Sequence, residues 1–299
     1  MTRQASGQPT APAAQWSVIV PVKLTAQAKT RLAGDLSPQE RAELARAMVA
    51  DTVAAVRAAH AVRQVVVVTD DDDVVADLRG VRPPGWAPVV VVPEPVPAAG
   101  LNAAIRAGVA AAARGDAEAG GCAAGDTAAP PGDAIARGEA AAPSGDTGGA
   151  APGVGLRAGP VAVLLGDLPA LRPADLEEAL AAASAFPRAV VVDAEGTGTT
   201  LLTASAGVPL DPAFGAGSAA EHVRRGHVEL DVPDLSGLRQ DVDRLGDLAA
   251  VAELGAGRAT SQVLARRAQS GTEPPVDVER PRPPALDQMP CTDETAAVA

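Results

Sequence analysis

The chain has 299 residues, 47% of them hydrophobic, enough to bury the core of one large α/β domain or two small ones. Aromatic residues make up only 1%, with two Phe, two Trp and no Tyr, which argues against the base-stacking platforms of single-stranded nucleic-acid binders. A formal net charge of −12 disfavours a polyanionic partner, so a phosphate ligand has to be met by a few local cations or metal ions.

Residues 1–15 are polar and Pro-containing, and they predict a disordered N-terminus without the apolar stretch of a signal peptide. No uninterrupted apolar run is long enough to span a bilayer. Cys122 and Cys291 offer neither metal-ligand spacing nor a disulfide framework, which suits a reducing cytoplasm. The expectation is a cytoplasmic protein with no membrane and no nucleic-acid partner.

Short apolar runs then alternate with helical stretches. Ser17–Val22, Val65–Thr69, Val89–Val92, Val161–Leu165 and Ala189–Asp193 are continuous and Val-rich, the pattern of strands buried on both faces of a mostly parallel sheet. Between the first two, Ser37 and Glu40 form a capping box with Pro38 at the first helical position. Leu44, Met48, Thr52 and Val56 follow at helical spacing. A second helix is expected from Leu101 toward Ala113, and a third from Pro173 with Leu176 and Leu180 on one face. This βαβαβ order predicts an open, doubly wound, mostly parallel α/β sheet with right-handed crossovers. The domain is expected over 16–257. Residues 115–159, rich in Gly, Ala, Pro, Asp and Ser, form a low-complexity insertion in it, and 268–299 a disordered C-terminal tail.

The chemistry sits where strands end. After the first strand, Lys23, Lys29 and Arg31 lie on the connection to the next helix, where positive charge and backbone N–H groups can clamp a triphosphate. Ala28-Lys29-Thr30 resembles the end of a Walker A loop, but the glycines of that motif are missing. The Val161 strand runs into Gly166-Asp167-Leu168-Pro169, which sets one carboxylate at the sheet edge where α/β proteins bind ligands. Asp241-Val242-Asp243 offers two more on the same side of an extended segment, either of which can complete a site for a hard cation. Asp243 or Asp247 is also a candidate cap for the helix around Leu248–Leu254. Two segments rich in Gly and hydroxyls, Asp193–Leu201 and Phe214–His222, the second opening a helix with Gly-Ser, are candidate anion sites. Asp70–Asp73 is expected to form a solvated turn, and His222 to be a packing or surface residue.

Taken in order, Pro21-Val22-Lys23 with Ala28–Leu32, Gly100-Leu101-Asn102, Gly166–Leu171, Gly196–Leu201, Phe214-Gly215 with Gly217-Ser218-Ala219, and Leu238-Arg239 with Asp241-Val242-Asp243 carry a resemblance. The chain resembles the guanylyltransferase family that activates 2-phospho-L-lactate or phosphoenolpyruvate in coenzyme F-420 biosynthesis. The similarity spans about Trp16 to Gly257, outside the insertion. It implies a nucleotide-diphospho-sugar-transferase-like fold. It also implies metal-binding aspartates at Asp167 and at Asp241 or Asp243, and contacts from Thr200, Gly215 and Ser218 to the acid's phosphate. Arg244 stands where the family's pattern has Thr.

The reaction so implied joins GTP to a phosphorylated three-carbon acid with Mg²⁺ as cofactor, releasing pyrophosphate. Lys23, Lys29 and Arg31 would hold the triphosphate, and Gly100, Leu101 and Asn102 would line the base or ribose pocket; a homodimer is left open. Two alternatives stand beside it. One is another nucleotidyltransferase of the same fold, acting on a molybdopterin or sugar-phosphate acceptor, and the other is a non-catalytic nucleotide-binding module.

Overall fold

A computed structural model describes residues 15–23, 25, 29–79, 83–95, 100–121 and 159–269. The expected terminal segments, and the insertion beyond residue 121, lie almost wholly outside these. The chain divides into two units, Met1–Val263 and Leu264–Ala299; of the second, only the end of a helix is described.

The described residues form one seven-stranded sheet: β1 (Trp16–Pro21), β2 (Val62–Val68), β3 (Val89–Val92), β4 (Val161–Leu164), β5 (Arg188–Val192), β6 (Thr199–Ala204) and β7 (Val228–Glu229). Their order across the sheet is β3-β2-β1-β4-β6-β5-β7. The β1–β2, β1–β4, β2–β3 and β5–β7 pairs are parallel, and only β6 runs against its neighbours β4 and β5. The expected mostly parallel sheet is therefore what forms. Alternate residues of each central strand feed two cores. Val18, Val20, Val65, Val67, Ala162 and Leu164 face one side, while Ile19, Val66, Val68, Val161 and Val163 face the other. Double-sided burial explains why these strands are continuous apolar runs rather than alternating ones.

Seven α-helices are described: α1 (Pro38–Ala58), α2 (Asp72–Arg79), α3 (Leu101–Gly121), α4 (Pro173–Ala183), α5 (Ser218–Arg224), α6 (Asp247–Leu254) and α7 (Arg258–Gln269). The capping box of α1 is complete: the Glu40 N–H donates to Ser37 Oγ and the Ser37 N–H to Glu40 Oε2. On α1, one turn past Met48, Asp51 accepts the N–H groups of Ala259 and Thr260 at 2.9 and 2.7 Å, fixing the start of α7.

Three expectations change. The Thr199–Ala204 segment is a fully buried strand rather than a loop, because β-branched and apolar residues come directly after the Gly196/Gly198 turn. Helix α3 runs past Ala113 to Gly121, since its Ala-rich sequence continues to favour helix. Asp70–Asp73 is not a solvated turn: Asp71 is 7% exposed and α2 begins at Asp72.

Candidate active site

The parallel strands β1, β2, β3 and β4 end at one edge of the sheet, and the site is assembled from the segments beyond those ends. After β4, Gly166 and Asp167 lead into a tight turn in which the Leu171 N–H donates to the Leu168 carbonyl at 3.0 Å. The Leu168 N–H donates to Thr52 Oγ1 of α1 at 3.1 Å, so Asp167 is anchored by a helix behind it. Asp167 does not cap α4, whose N-cap position is Arg172.

A distant segment closes on this turn. Gly237 lies so near Ala170 that a Cβ there would sit 2.0 Å from the Ala170 carbonyl oxygen, an approach only glycine permits. The same segment is tied to the end of β5, where the Ala194 N–H donates to the Arg239 carbonyl at 2.9 Å. Beyond it, Leu238 and Val242 are completely buried. Burying each contributes about 1.5–3 kcal/mol, which holds Asp241 and Asp243 outward despite their mutual repulsion. Asp247 does not act as the N-cap of α6, a position Gly246 takes. Its carboxylate accepts the N–H groups of Asp243 and Arg244 at 2.8 and 2.7 Å and braces the turn carrying Asp243.

As a result Asp167, Asp241 and Asp243 each offer a carboxylate oxygen, all within 4.8 Å of one another. Lys29 reaches in from the connection after β1, 2.5 Å from Asp167 Oδ2 and 3.3 Å from Asp243 Oδ1, and Arg31 pairs with Asp243 Oδ2 at 2.7 Å. Lys29 has a left-handed backbone, φ 54°, a conformation that costs a non-glycine residue energy and recurs at functional sites. Burial alone would lower its pKa. The charges and hydrogen bonds of Asp167 and Asp243 outweigh that and hold it above the usual lysine range.

The donor set fits a hard divalent cation. It is all oxygen and carries three carboxylates, and Asp167 Oδ1 is buried without a hydrogen-bond partner. Asp241 reports the crowding: burial first, then the charges of Asp167 and Asp243, push its carboxyl up to about 7. A bound cation would reverse that shift.

Other expected residues lie around this centre. Lys23 is exposed and stands outside the ion-paired cluster. Gly100, Leu101 and Asn102 open α3, where the Asn102 side chain donates to the Phe214 carbonyl and accepts the Phe214 N–H at 3.0 and 2.9 Å. That locks the Phe214–Ser218 turn to α3. A groove of about 620 Å³ opens beside the turn, lined among others by Arg106, Gly215, Gly217 and Arg224. The Ser218 hydroxyl is committed inward to Thr199 Oγ1 at 3.3 Å, and Thr200 Oγ1 faces the Val191 carbonyl at 3.5 Å. In the Gly196–Gly198 turn the N–H groups of Thr197 and Gly198 already bond the Asp193 carboxylate, at 2.9 and 2.7 Å. That carboxylate satisfies two donors that the sequence offers to an anion.

His222 is a packing residue. It is completely buried, shares a hydrogen bond with Thr199 Oγ1 through Nδ1, and accepts the Ala213 N–H at Nε2. An acceptor role at Nε2 requires the neutral ring, and burial first, with the His227 and Arg225 charges, lowers its pKa from 6.5 to about 4. A depressed folded-state pKa contributes stability that is present above 6.5 and lost as pH falls through 4. Acidification over that window should therefore remove up to roughly 3 kcal/mol of stability through this residue. Urea midpoints measured from pH 7.5 to 4 check it. An equally steep loss in His222→Gln would assign the acid sensitivity elsewhere.

Comparison with known proteins identifies the family. Residues 16–106 match the family model described as guanylyl transferase CofC like. A phosphoenolpyruvate guanylyltransferase of Sanguibacter keddieii is 54% identical over 283 residues, 86% of each chain. One from Streptomyces coelicolor is 42% identical over 252 residues, 84% of this chain and 97% of the relative. One from Thermomonospora curvata is 42% identical over 253 residues, 84% and 89%. Among solved structures, a protein assigned as a nucleotide-diphospho-sugar transferase from Desulfovibrio desulfuricans has a TM-score of 0.50 at 15% identity, covering 86% of this chain and 96% of its own. That likeness concerns the fold.

Proposed function

The chain belongs to the CofC-like guanylyl transferase family, and from that premise we propose that it is a phosphoenolpyruvate guanylyltransferase of coenzyme F-420 biosynthesis. The observation that carries the reading is Lys29 lying between Asp167 and Asp243, which joins the cationic connection after β1 to the acidic cluster at the same sheet edge. The acceptor assignment to phosphoenolpyruvate rather than 2-phospho-L-lactate rests on the relatives' activity.

In the proposed reaction an oxygen of the acid's phosphate attacks the α-phosphorus of GTP. The bond from that phosphorus to the β-phosphate bridging oxygen breaks, and pyrophosphate leaves. The product is enolpyruvoyl-2-diphospho-5'-guanosine. A phosphate nucleophile is already ionised near neutral pH, so no general base is needed and catalysis is positioning with charge neutralisation. Asp167, with Asp241 and Asp243, would hold Mg²⁺, which supplies positive charge shared between the two phosphate-bearing substrates. Lys29 and Arg31 face the same point and neutralise the triphosphate and the departing pyrophosphate. Lys23, exposed on the same connection, is assigned to the outer phosphates. The start of α3, Gly100 to Asn102, is assigned to the nucleoside. Gly215 is assigned to the acid, and Arg106 and Arg224 add positive charge in the groove beside it; Thr200 and Ser218, whose hydroxyls are turned inward, stand behind that surface. We place the reaction in the cytoplasm.

Incubation with GTP, Mg²⁺ and each three-carbon acid, with pyrophosphate release as the readout, tests the reading. Release with phosphoenolpyruvate is expected. Release only with a molybdopterin or sugar-phosphate acceptor would move the protein to another branch of the fold, and no release with any acceptor would support a binding module.

A further inference from the structure

Asp71 lies just past β2, at the same sheet edge as the acidic cluster, but it belongs to none of the ion pairs there. Its two oxygens do different work. Oδ1 accepts the N–H groups of Asp73 and Val74, both at 3.1 Å, and so satisfies the opening of α2. Oδ2 takes no part in that. It accepts both the backbone N–H and the hydroxyl of Thr25, each at 2.7 Å, from 46 residues upstream.

Thr25 is the point that matters. It sits between Lys23 and Lys29 on the connection after β1 and is itself 4% exposed, held down on the neighbouring strand's end rather than on its own. Two hydrogen bonds to one charged oxygen are short and strong, and together with the two at Oδ1 they keep this buried carboxylate ionised. Burial works the other way, yet the net effect is a pKa below the usual carboxylate range. A helix cap alone would need only Oδ1. The Oδ2 pair constrains nothing but the cation-bearing connection, and a flexible connection would have to be ordered at the expense of binding energy each time a ligand arrived.

We propose that Asp71 is a positioning residue for nucleotide binding, anchoring Thr25 at the end of β2 between Lys23 and Lys29 in the chain, so that these cations meet the triphosphate already placed. The inference rests on the reading that this connection grips GTP.

Thr25→Val keeps the volume, the β-branch and the N–H bond but deletes the hydroxyl bond. Thr25→Ser keeps both bonds. With saturating phosphoenolpyruvate and Mg²⁺, Thr25→Val should raise the KM for GTP about tenfold, the size expected for one hydrogen bond to a charged group. Binding of guanosine 5'-(α,β-methylene)triphosphate, which cannot transfer, should weaken by the same factor. The KM for the acid should hardly move, the thermal midpoint should fall by only a few degrees, and Thr25→Ser should match wild type. Amide exchange of the peptide covering residues 22–32 should quicken in unliganded Thr25→Val and not in Thr25→Ser.

Unchanged GTP KM and analogue affinity in Thr25→Val would overturn the inference, as would equal losses for both substrates or a Thr25→Ser variant as poor as Thr25→Val. Loss of pyrophosphate release already in wild type would instead overturn the functional reading. Unchanged exchange in Thr25→Val would overturn the clamp even then.

Discussion

Asp167→Asn is expected to lower pyrophosphate release by about a thousandfold or more while the protein stays folded. The substitution keeps size and shape and removes one negative charge at the sheet edge. Asp167 Oδ1 has no hydrogen-bond partner and Oδ2 meets only Lys29, so the carboxylate serves no helix cap and no turn. Its loss costs the fold one part-buried ion pair, offset by relief of repulsion in a cluster whose oxygens lie within 4.8 Å. Lys29 keeps Asp243 as a partner, so no buried cation is stranded. Repulsion from Asp167 is part of what raises Asp241, so Asp241 should also titrate nearer its ordinary range in the variant. Steady-state pyrophosphate release, thermal melting and an NMR pH titration of the Asp241 carboxyl check the three statements. Turnover near that of wild type would sink the assignment of Asp167 to the metal, however stable the variant proved.

The parallel half of the sheet is legible from composition, because strands buried on both faces must be continuous Val-rich runs bounded by polar turns. β6 is not: Gly196 and Gly198 signal a loop, and only the tertiary pairing with β4 and β5 turns Thr199–Ala204 into a strand. The acidic centre is visible because Asp167 comes directly after a strand and Val242 separates two carboxylates. The packing that brings these together is not visible. The contact of Gly237 on Ala170 is a long-range event with no periodic signature. Asp71 illustrates the same limit, since a run of four aspartates looks solvated until the partner of one of them, 46 residues away, is placed. Likewise the hydroxyl of Ser218 advertises an anion site in sequence, while the fold turns it toward Thr199.

Lys29 is expected to separate two properties that usually fall together. Its ammonium, 9% exposed, lies 2.5 Å from Asp167 and 3.3 Å from Asp243, so it neutralises the carboxylates that would hold a divalent cation. A cation approaching without nucleotide has to compete with that charge. One arriving with GTP does not, because the triphosphate offers the ammonium oxygens in place of those of Asp167. Lys29→Met keeps the length of the stem but deletes the charge, leaving Arg31 on the exposed side of Asp243 as the remaining ion-pair partner of the cluster. Mn²⁺ affinity in the absence of nucleotide should then rise about tenfold at low ionic strength, from the removal of a unit positive charge a few ångströms away. Turnover should fall about a hundredfold or more, because the triphosphate and the leaving pyrophosphate lose their most buried counter-charge. Mn²⁺ titration followed by electron paramagnetic resonance, with and without GTP, reads the first effect, and pyrophosphate release reads the second. Were the variant to bind bare Mn²⁺ more weakly than wild type, the lysine would be organising the three carboxylates rather than competing for them. The left-handed backbone at residue 29 would then be serving the metal site rather than the nucleotide.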